Sequence, residues 1–403
     1  MRTAHLITFA GSFVLSVAVN RADGLDTTPQ TNARAAIQRG ISYLRKTQSD
    51  DGSWSPGPGP AITALIVRAM LDQPQITADD AHVARGVAYI LTKRREDGSF
   101  HNGFLQNYNT AICLSALSAL PDQPSVTEAI HGAQDFLRNL QWSGQSDAQD
   151  RVVGQSHPFF GGAGYGKHGR PDLSNTQVML QGLHDSGLSV DDPAFRRAVC
   201  FIGRCQGSVH NDMFANEIVT DGGFIYATSV SEQLVGIPQS MANPQMIDEA
   251  KAGRPVSGLR TYGSMTYAGF KSYIYAGLGR DDPRVKEAYD WIRRHYTLEY
   301  NPGLPQTLKM QGYYYYLMTF ARALRASGDH QITTDDGRPH AWPAELIDRL
   351  GSLQKPDGSW LNEADRWLEG DPNLVTAYAL IALNNAAVAS EERAAEPSDE
   401  KRD

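Results

Sequence analysis

The groups in this chain best suited to hold a charged ligand lie in one glycine-rich segment, residues 161–172, which reads Gly-Gly-Ala-Gly-Tyr-Gly-Lys-His-Gly-Arg-Pro-Asp. Lys167, His168 and Arg170 place cationic or titratable side chains in this flexible frame. The segment leads into a predicted helix at Thr176, and cations beside a helix N-terminus favour anions such as a diphosphate or a carboxylate. The alternative is a solvated loop whose glycines only shape turns.

Two residues of the same segment are candidates for proton transfer. Asp172 and His168 have the side-chain types that serve as catalytic acid and base. An aspartate directly before a helix more often caps the helix N-terminus, so capping is the alternative role for Asp172. Arg260, near another predicted helix start, either extends the positive rim or faces water.

Tyrosines form a second chemical signal. Tyr262, Tyr267 and Tyr313 are the candidate ligand-binding aromatics, and all three belong to predicted apolar helices. A tyrosine-lined cavity suits an isoprenoid chain or a carbocation through cation–π contact. It equally suits stacking on sugar rings, and simple filling of the core is a third interpretation. Because residues 313–316 are four consecutive tyrosines, they point all round a helix, so at most two of them face any one cavity.

The composition is that of an ordinary globular protein, with 41% hydrophobic and 20% charged residues among 403. A formal net charge of −8 supplies no basic footprint, so we expect no nucleic-acid binding. Three cysteines are too few, and odd in number, for a disulfide framework. No cysteine lies near a histidine at ligand spacing, so we expect no metal site and no cofactor.

The two ends of the chain differ from the rest. Arg2 precedes an apolar run from Leu6 to Val19, with small residues at Ser16 and Ala18. This pattern predicts a signal peptide over residues 1–22 and an exported protein, periplasmic or extracellular. The alternative is an uncleaved anchor, in which case membrane association occurs through this segment alone. Residues 390–403 are charged and alanine-rich, and we expect a disordered tail there.

The elements that position these groups repeat along the chain. Six times an amphipathic stretch runs into a glycine turn and then into a second, more apolar stretch. The spacing of Ile37, Ile41 and Leu44 predicts that the first stretch of each unit is a helix with one apolar face. The turns are marked by Asp-Gly pairs, as in Asp51-Gly52 and Asp357-Gly358.

The second stretches share a tighter register. Each of five begins at a threonine, with a large apolar residue four positions later and a small residue six positions later. Small residues at one level let helix backbones approach closely, which favours an inner ring of six helices inside an outer ring of six. The sequence thus predicts an all-α, single-domain (α/α)6 toroid over residues 30–389, with insertions at 207–260 and 329–343. The five threonines are Thr63, Thr110, Thr176, Thr266 and Thr376.

The element Gln48-x3-Gly52-x-Trp54, partly repeated at Gln354 to Trp360, carries a family resemblance. It resembles the QW repeat of the prenyltransferase and squalene oxidase repeat family, within the squalene/terpene cyclase and protein prenyltransferase β-subunit superfamily. The resemblance implies a toroid whose working mouth lies where the inner helices begin. It also implies a hydrophobic isoprenoid-type small molecule, a terpenoid or polyprenyl lipid, as the ligand.

The catalytic motifs of that superfamily are not found in this sequence. There is no Asp-x-Asp-Asp run of the kind with which cyclases protonate alkenes or epoxides. The helix start that holds zinc in prenyltransferases corresponds here to Arg260 through Met265, with neither an Asp-x-Cys pair nor a matching histidine. The resemblance therefore implies terpenoid cyclisation or prenyl transfer as the class of reaction, but it does not identify the catalytic residues. A non-catalytic binding module is one alternative, and a carbohydrate-active toroid with carboxylates roughly 5–10 Å apart is another.

The glycine-rich segment yields a direct test. Replacing Lys167, His168 and Arg170 together by alanine removes all three candidate anion-binding groups. We expect the variant to lose binding of an anionic ligand, measured by titration calorimetry. Unchanged affinity would rule out this segment as an anion site.

Overall fold

The structure is a computed structural model that describes residues 28–166 and 169–395. Predictions that fall on residues 1–22, on Lys167 and His168, and on 396–403 lie outside the described residues. The helices are α1 (Pro29–Thr47), α2 (Ala61–Leu71), α3 (Ala81–Leu91), α4 (Gln106–Leu117), α5 (Pro124–Leu140), α6 (Leu173–Asp185), α7 (Pro193–Arg204), α8 (Gln245–Lys251), α9 (Gly263–Tyr275), α10 (Pro283–Arg294), α11 (Tyr313–Ser327), α12 (Trp342–Leu353) and α13 (Pro372–Ala395), and the strands are β1 (Ile332–Thr333) and β2 (Pro339–His340).

Six of these helices form a closed inner ring. In chain order they are α2, α4, α6, α9, α11 and α13; each packs on the next, and α13 packs on α2. The outer helices α1, α3, α5, α7, α10 and α12 lie against them, and α1 packs on both α12 and α13. The all-α (α/α)6 toroid predicted from the sequence is confirmed.

The two rings differ in how many of their faces are buried. In the inner helix α9 every residue from Gly263 to Tyr273 is buried, because neighbours surround it on all sides. In the outer helix α10 the buried residues are Val285, Ala288, Trp291 and Ile292, a single stripe at helical spacing. This difference follows from the apolar pattern of the two stretches in each repeat.

Glutamines at the ends of four outer helices tie neighbouring repeats together. Each side-chain amide donates one hydrogen bond to a carbonyl of its own glycine turn and one to a carbonyl of the next outer helix. The acceptors are Gly52 and His82 for Gln48 (both 2.9 Å), Gly161 and Ala194 for Gln141 (2.8 and 2.9 Å), Gly222 and Arg284 for Gln206 (3.1 and 2.8 Å), and Gly358 and Ala36 for Gln354 (both 2.9 Å). The last pair joins the end of α12 to α1 and closes the outer ring.

The backbone conformation and the close packing of the turns require glycine. Gly358 has a φ of 92°, a left-handed conformation, and a Cβ there would lie 2.4 Å from the carbonyl oxygen of Arg39 in α1. The same two features recur where the other turns meet the next outer helix, at Gly52, Gly98, Gly161 and Gly222. The Asp-Gly pairs of the sequence therefore mark places where a turn touches helix backbone.

The five threonines occupy one level of the inner ring, as their register predicted. Each hydroxyl accepts a hydrogen bond from the backbone N–H of a residue that follows the glycine turn. The donors are Trp54 for Thr63 (2.9 Å), Phe100 for Thr110 (2.9 Å), Ala163 for Thr176 (3.0 Å), Phe224 for Thr266 (3.1 Å) and Trp360 for Thr376 (3.2 Å). The threonines thus fix each turn against the start of its inner helix.

The last inner helix is long and apolar. By length and composition Pro372–Ala394 is sufficient to cross a membrane, but 72% of its most apolar window is buried inside the toroid. Such burial is typical of a core helix. The helix continues to Ala395, so residues 390–395 are helical where the sequence predicts the start of a disordered tail.

The contribution of these glutamine hydrogen bonds to stability can be tested at Gln354, which closes the ring. Gln354→Ala removes the donor to Ala36 and Gly358 and leaves both carbonyls without it. We expect the free energy of unfolding to fall by about 1–3 kcal/mol, measured by chemical denaturation. Gln38→Ala, an exposed glutamine on α1, is the matched control and should change stability by under about 0.5 kcal/mol. Equal stability of the two variants would contradict a structural role for the tie.

Candidate functional site

A cavity of about 320 Å³ opens where the inner helices begin. Residues at or just before the N-terminal ends of all six inner helices contribute to its wall, at the mouth that the family resemblance implies. Its volume lies within the ordinary range of small-molecule sites, about 300–1,000 Å³. The lining residues are Pro58, Ala61, Ile62, Leu105, Tyr108, Tyr165, Ser174, Tyr226, Tyr262, Ser264, Met265, Gly312, Tyr315, Trp367, Leu368, Glu369, Leu374 and Tyr378.

Hydrogen-bonded tyrosines form the floor of the cavity. The hydroxyls of Tyr108 and Tyr378 lie 2.9 Å apart, and the Tyr315 hydroxyl accepts from the Gln177 amide at 2.9 Å. Burial raises the pKa of Tyr108 to about 12, so its hydroxyl stays protonated at any physiological pH. The same three tyrosines also line a smaller pocket of about 30 Å³, so they separate two compartments along the axis of the toroid.

One carboxyl lies in the cavity wall, that of Glu369, whose surface is 1% exposed. It accepts hydrogen bonds from the backbone N–H groups of Tyr315 (2.7 Å) and Tyr314 (3.3 Å), at the start of α11. The side-chain amide of Asn362 donates a third bond at 2.6 Å. The backbone N–H of Tyr313 also stabilises the carboxylate, so the start of α11 and Asn362 together serve about all four of its acceptor positions.

Glu369 is placed by a distorted loop that precedes α13. Trp367 and Leu368 both have left-handed backbones, with φ of 58° and 68°. Such conformations in non-glycine residues carry strain of order 1–3 kcal/mol each and persist where the surroundings hold them. Both side chains line the cavity and remain about half exposed, at 43% and 51%. The loop therefore supplies the acid and part of the apolar rim together.

Burial controls the protonation of Glu369. Loss of hydration raises the pKa of its carboxyl to about 7, although the bonds from Asn362 and from the start of α11 oppose the shift. At neutral pH the group is therefore divided between a neutral acid and an anion, as a proton-transferring residue requires.

Asp172 is fully buried and caps helix α6. Its carboxyl accepts from the Asn175 backbone N–H at 2.8 Å and from the Asn175 side-chain amide at 2.9 and 3.1 Å. Burial raises the pKa of Asp172, and the Arg170 charge opposes that shift. Asp172 does not itself line the cavity, but the Tyr226 hydroxyl that interacts with it does. The structure thus gives Asp172 the capping role.

The two described cations that the sequence assigned to the ligand are engaged elsewhere. Arg170 donates to the Ser229 carbonyl at 3.0 Å, and its guanidinium lies 5.3 Å from the centre of the Tyr226 ring. The Arg260 guanidinium donates to the Ala242 carbonyl. Neither side chain lines the cavity. Lys167 and His168 lie outside the described residues.

Of the three predicted aromatic contacts, Tyr262 lines the cavity and the other two do not. Tyr267 is buried with its ring against Phe320, at a centroid distance of 4.9 Å. Tyr313 donates to the Leu298 carbonyl and accepts from Arg349 at 2.9 Å. Among the four consecutive tyrosines only Tyr315 faces the cavity, within the limit of two that helix geometry sets.

Sequence reasoning missed Glu369 and four of the lining tyrosines. Glu369 is a single glutamate before a helix, and nothing in its local sequence distinguishes it from a surface residue. Tyr108 lies two positions before the register threonine Thr110 and Tyr378 two positions after Thr376, so no constant spacing distinguished these tyrosines. The other two missed tyrosines are Tyr165 and Tyr226.

Among the described residues, no group of three or more histidine, cysteine, aspartate or glutamate side chains is arranged to hold a metal ion. The expectation that the protein needs no metal or cofactor stays a prediction.

Known structures share this toroid. The type II terpene cyclase MstE from Scytonema, in its apo form, matches with a TM-score of 0.50 and 14% identity over 89% of this chain and 99% of that chain. A variant of MstE in complex with merosterolic acid A matches at 0.48 and 15% over 90% and 99%, and a glycosidase variant in complex with glucose at 0.48 and 11% over 91% and 100%. No family model and no curated protein matches the chain. At such identities the likeness to the apo cyclase shows the fold alone.

The raised pKa of Glu369 predicts a pH-dependent stability. Between pH 4.5, its ordinary value, and about 7, the folded chain keeps a proton that the unfolded chain releases. This group therefore makes the fold less stable as pH rises through that window, by on the order of 3 kcal/mol. We expect Glu369→Gln to lack this part of the decline, measured by denaturation at each pH. Glu363→Gln, an exposed glutamate in the same loop, should follow the wild-type curve. Parallel curves for all three proteins would refute the shift.

Proposed function

We propose that this protein binds a terpenoid or polyprenyl molecule in the cavity that contains Glu369, as a terpenoid cyclase-like toroid. The observation that carries the proposal is the lining: six tyrosines and a set of apolar side chains surround one buried carboxyl. An isoprenoid chain offers apolar surface along its whole length, which matches the apolar side chains and the tyrosine rings of the wall.

Aromatic faces suit the ligand in a second way. Tyr108, Tyr315 and Tyr378 come from three different inner helices, Tyr262 directly precedes a fourth, and all four surround the same space. Tyrosine rings attract positive charge through their faces, by about 0.5–2 kcal/mol for each contact. Rings placed around a cavity can therefore stabilise a carbocation wherever it moves along a bound chain.

The reaction that this arrangement favours is cyclisation started by protonation. Glu369 transfers its proton to an alkene or epoxide of the bound chain, which forms a C–H or O–H bond and leaves a cation. The cation is attacked by neighbouring double bonds, new C–C bonds close the rings, and loss of a proton ends the sequence. The product from an alkene is an isomer of the substrate, so no oxidant or cofactor enters the balance.

The two alternatives fit the site less well. Glycoside hydrolysis needs a pair of carboxyls at the substrate, whereas Glu369 is the single carboxyl among the described lining residues and Asp172 is held as a helix cap. A binding module without chemistry would not require a titrating acid in its wall. Export of the protein stays part of the proposal, since residues 1–22 lie outside the described residues.

The proposal is tested by ligand capture and turnover together. Native mass spectrometry after mild extraction should show a co-purifying isoprenoid lipid. Incubation with squalene or geranylgeraniol in D₂O should give cyclic isomers that carry one carbon-bound deuterium, detected by gas chromatography and mass spectrometry. We expect Glu369→Gln to reduce product formation at least 100-fold, since general acid catalysis contributes about 10²–10⁴.

The controls separate the possible outcomes. Glu363→Gln should retain full turnover, because that glutamate is exposed and does not line the cavity. Isoprenoid binding without a cyclic product would favour the non-catalytic binding module. Absence of both binding and product would reject an isoprenoid function altogether.

A further inference from the structure

Two buried carboxyls lie on opposite sides of the cavity. The inner helices follow one another in chain order round the closed ring, so α6 and α13 stand three places apart and face each other across the axis. Glu369 lies in the loop before α13, and Asp172 is the residue directly before α6. Glu369 lines the cavity itself, whereas Asp172 is fully buried behind the opposite wall.

Tyr226 connects Asp172 to the cavity. It is a lining residue, and its hydroxyl stabilises the Asp172 carboxylate. Its backbone carbonyl accepts a hydrogen bond of 2.8 Å from the N–H of Leu173, the residue that follows Asp172. This bond fixes Tyr226 beside the start of α6. A molecule in the cavity therefore reaches the Asp172 carboxylate through one hydroxyl group.

The contacts of Asp172 suit an ionised carboxylate. Asn175 donates to Oδ1 from its backbone N–H (2.8 Å) and from its side chain (3.1 Å), and to Oδ2 from its side chain at 2.9 Å. Because all of these bonds are donated to the carboxyl, the ionised form fits them, and Oδ2 retains an acceptor position. Burial raises the pKa of Asp172, which makes it a better proton acceptor, while the Arg170 charge and the Tyr226 hydroxyl limit the rise. Helix capping and proton uptake are therefore compatible in this side chain.

Arg170 and Tyr165 complete the surroundings of Tyr226. The Arg170 guanidinium lies 5.3 Å from the centre of the Tyr226 ring, and the Ser229 carbonyl holds it there at 3.0 Å. Its positive charge favours negative charge on both Tyr226 and Asp172. The hydroxyl of Tyr165 interacts with that of Tyr226, and Tyr165 is 41% exposed at the mouth. A proton taken up at this wall thus has a path towards solvent.

We propose that Tyr226 is the base that ends the cyclisation, with Asp172 as the positioning residue that takes up the Tyr226 proton. This inference rests on the proposed function, in which Glu369 supplies the first proton and the final cation must lose one. The C–H bond beside the cationic carbon breaks, its electron pair forms the C=C bond of the product, and the proton moves to the Tyr226 oxygen. In the same step the hydroxyl proton of Tyr226 moves to the Asp172 carboxylate. The cation and the carboxylate become a neutral alkene and a neutral acid, so atoms and charge balance.

The separation of acid and base determines where the reaction can end. Protonation at Glu369 and deprotonation at Tyr226 take place on opposite walls, so a chain that spans the cavity starts and ends its reaction at different carbons. Rings such as those of Tyr108 and Tyr315 line the space between and stabilise the cation until it reaches Tyr226. Two ionisable groups in different surroundings thus take the two proton-transfer roles.

Product composition tests this assignment. Squalene or geranylgeraniol is incubated with the wild-type protein and with Tyr226→Phe, and the products are identified by gas chromatography and mass spectrometry. We expect Tyr226→Phe to consume substrate within about fivefold of the wild-type rate, because the initiating acid Glu369 is intact. The share of the main wild-type product should fall about tenfold or more, since general base catalysis at the last step is lost. Isomers with the double bond elsewhere, and alcohols in which water has captured the cation, should replace it.

A second variant tests the role of Asp172. Asp172→Asn keeps a residue type that caps helices as well as aspartate does. We expect it to change the product composition in the same way, and the double variant Tyr226→Phe/Asp172→Asn to change it no further, because residues that act as one unit are not additive. Tyr300→Phe, an exposed tyrosine outside the lining, is the matched control and should give the wild-type products. Tyr226→Phe decides the base assignment whether or not Asp172→Asn folds.

The other outcomes contradict the inference in distinguishable ways. An unchanged product composition in Tyr226→Phe would refute Tyr226 as the base and leave the cyclase function intact. A loss of all products in equal proportion would also refute it, because a purely structural role lowers every product alike. A change in Tyr226→Phe but not in folded Asp172→Asn would remove Asp172 from the mechanism. Absence of cyclic products from the wild-type protein would reject the cyclase function, and the base with it.

Discussion

The structure depends on one recurring hydrogen-bond arrangement, a glutamine amide that bridges two backbone carbonyls. Outer helices end at residues such as Gln48 and Gln141, and each reaches both its own turn and the next outer helix. Gln354 makes the same kind of bridge to Ala36, so the first and last units are joined by the contact that joins neighbouring units elsewhere. A closed ring results instead of an open superhelix, and a closed ring is what encloses a central space.

That space is shaped by the way the inner helices begin. Register threonines such as Thr63 and Thr376 hold the turns at a common level, so the six N-terminal ends face one region. Main-chain N–H groups converge there, and those of Tyr314 and Tyr315 stabilise the buried Glu369 carboxyl. The same geometry that closes the fold thus provides an environment in which an isolated acid can be buried.

Structural features that recur in the repeats could be predicted from the sequence, whereas features that occur only once could not. Residues such as Gln354, Gly358 and Thr376 recur at fixed spacing, so their role in the ring was visible without coordinates. Glu369 has no counterpart in the other repeats, and its burial results from a loop whose left-handed residues no composition rule foretells. Arg170 and Arg260 were assigned to a ligand from their positions near helix starts, yet carbonyls of the 207–260 insertion occupy both. Partners contributed by distant loops cannot be read from local patterns.

The loop before α13 has a mechanical consequence. Trp367 and Leu368 border the opening, Glu369 follows them directly, and helix α13 begins only three residues later, at Pro372. The span between rim and helix is too short to absorb movement independently. Since Glu369 is joined directly to these rim residues, any shift of their backbone also changes the position of its carboxyl relative to the Tyr315 N–H.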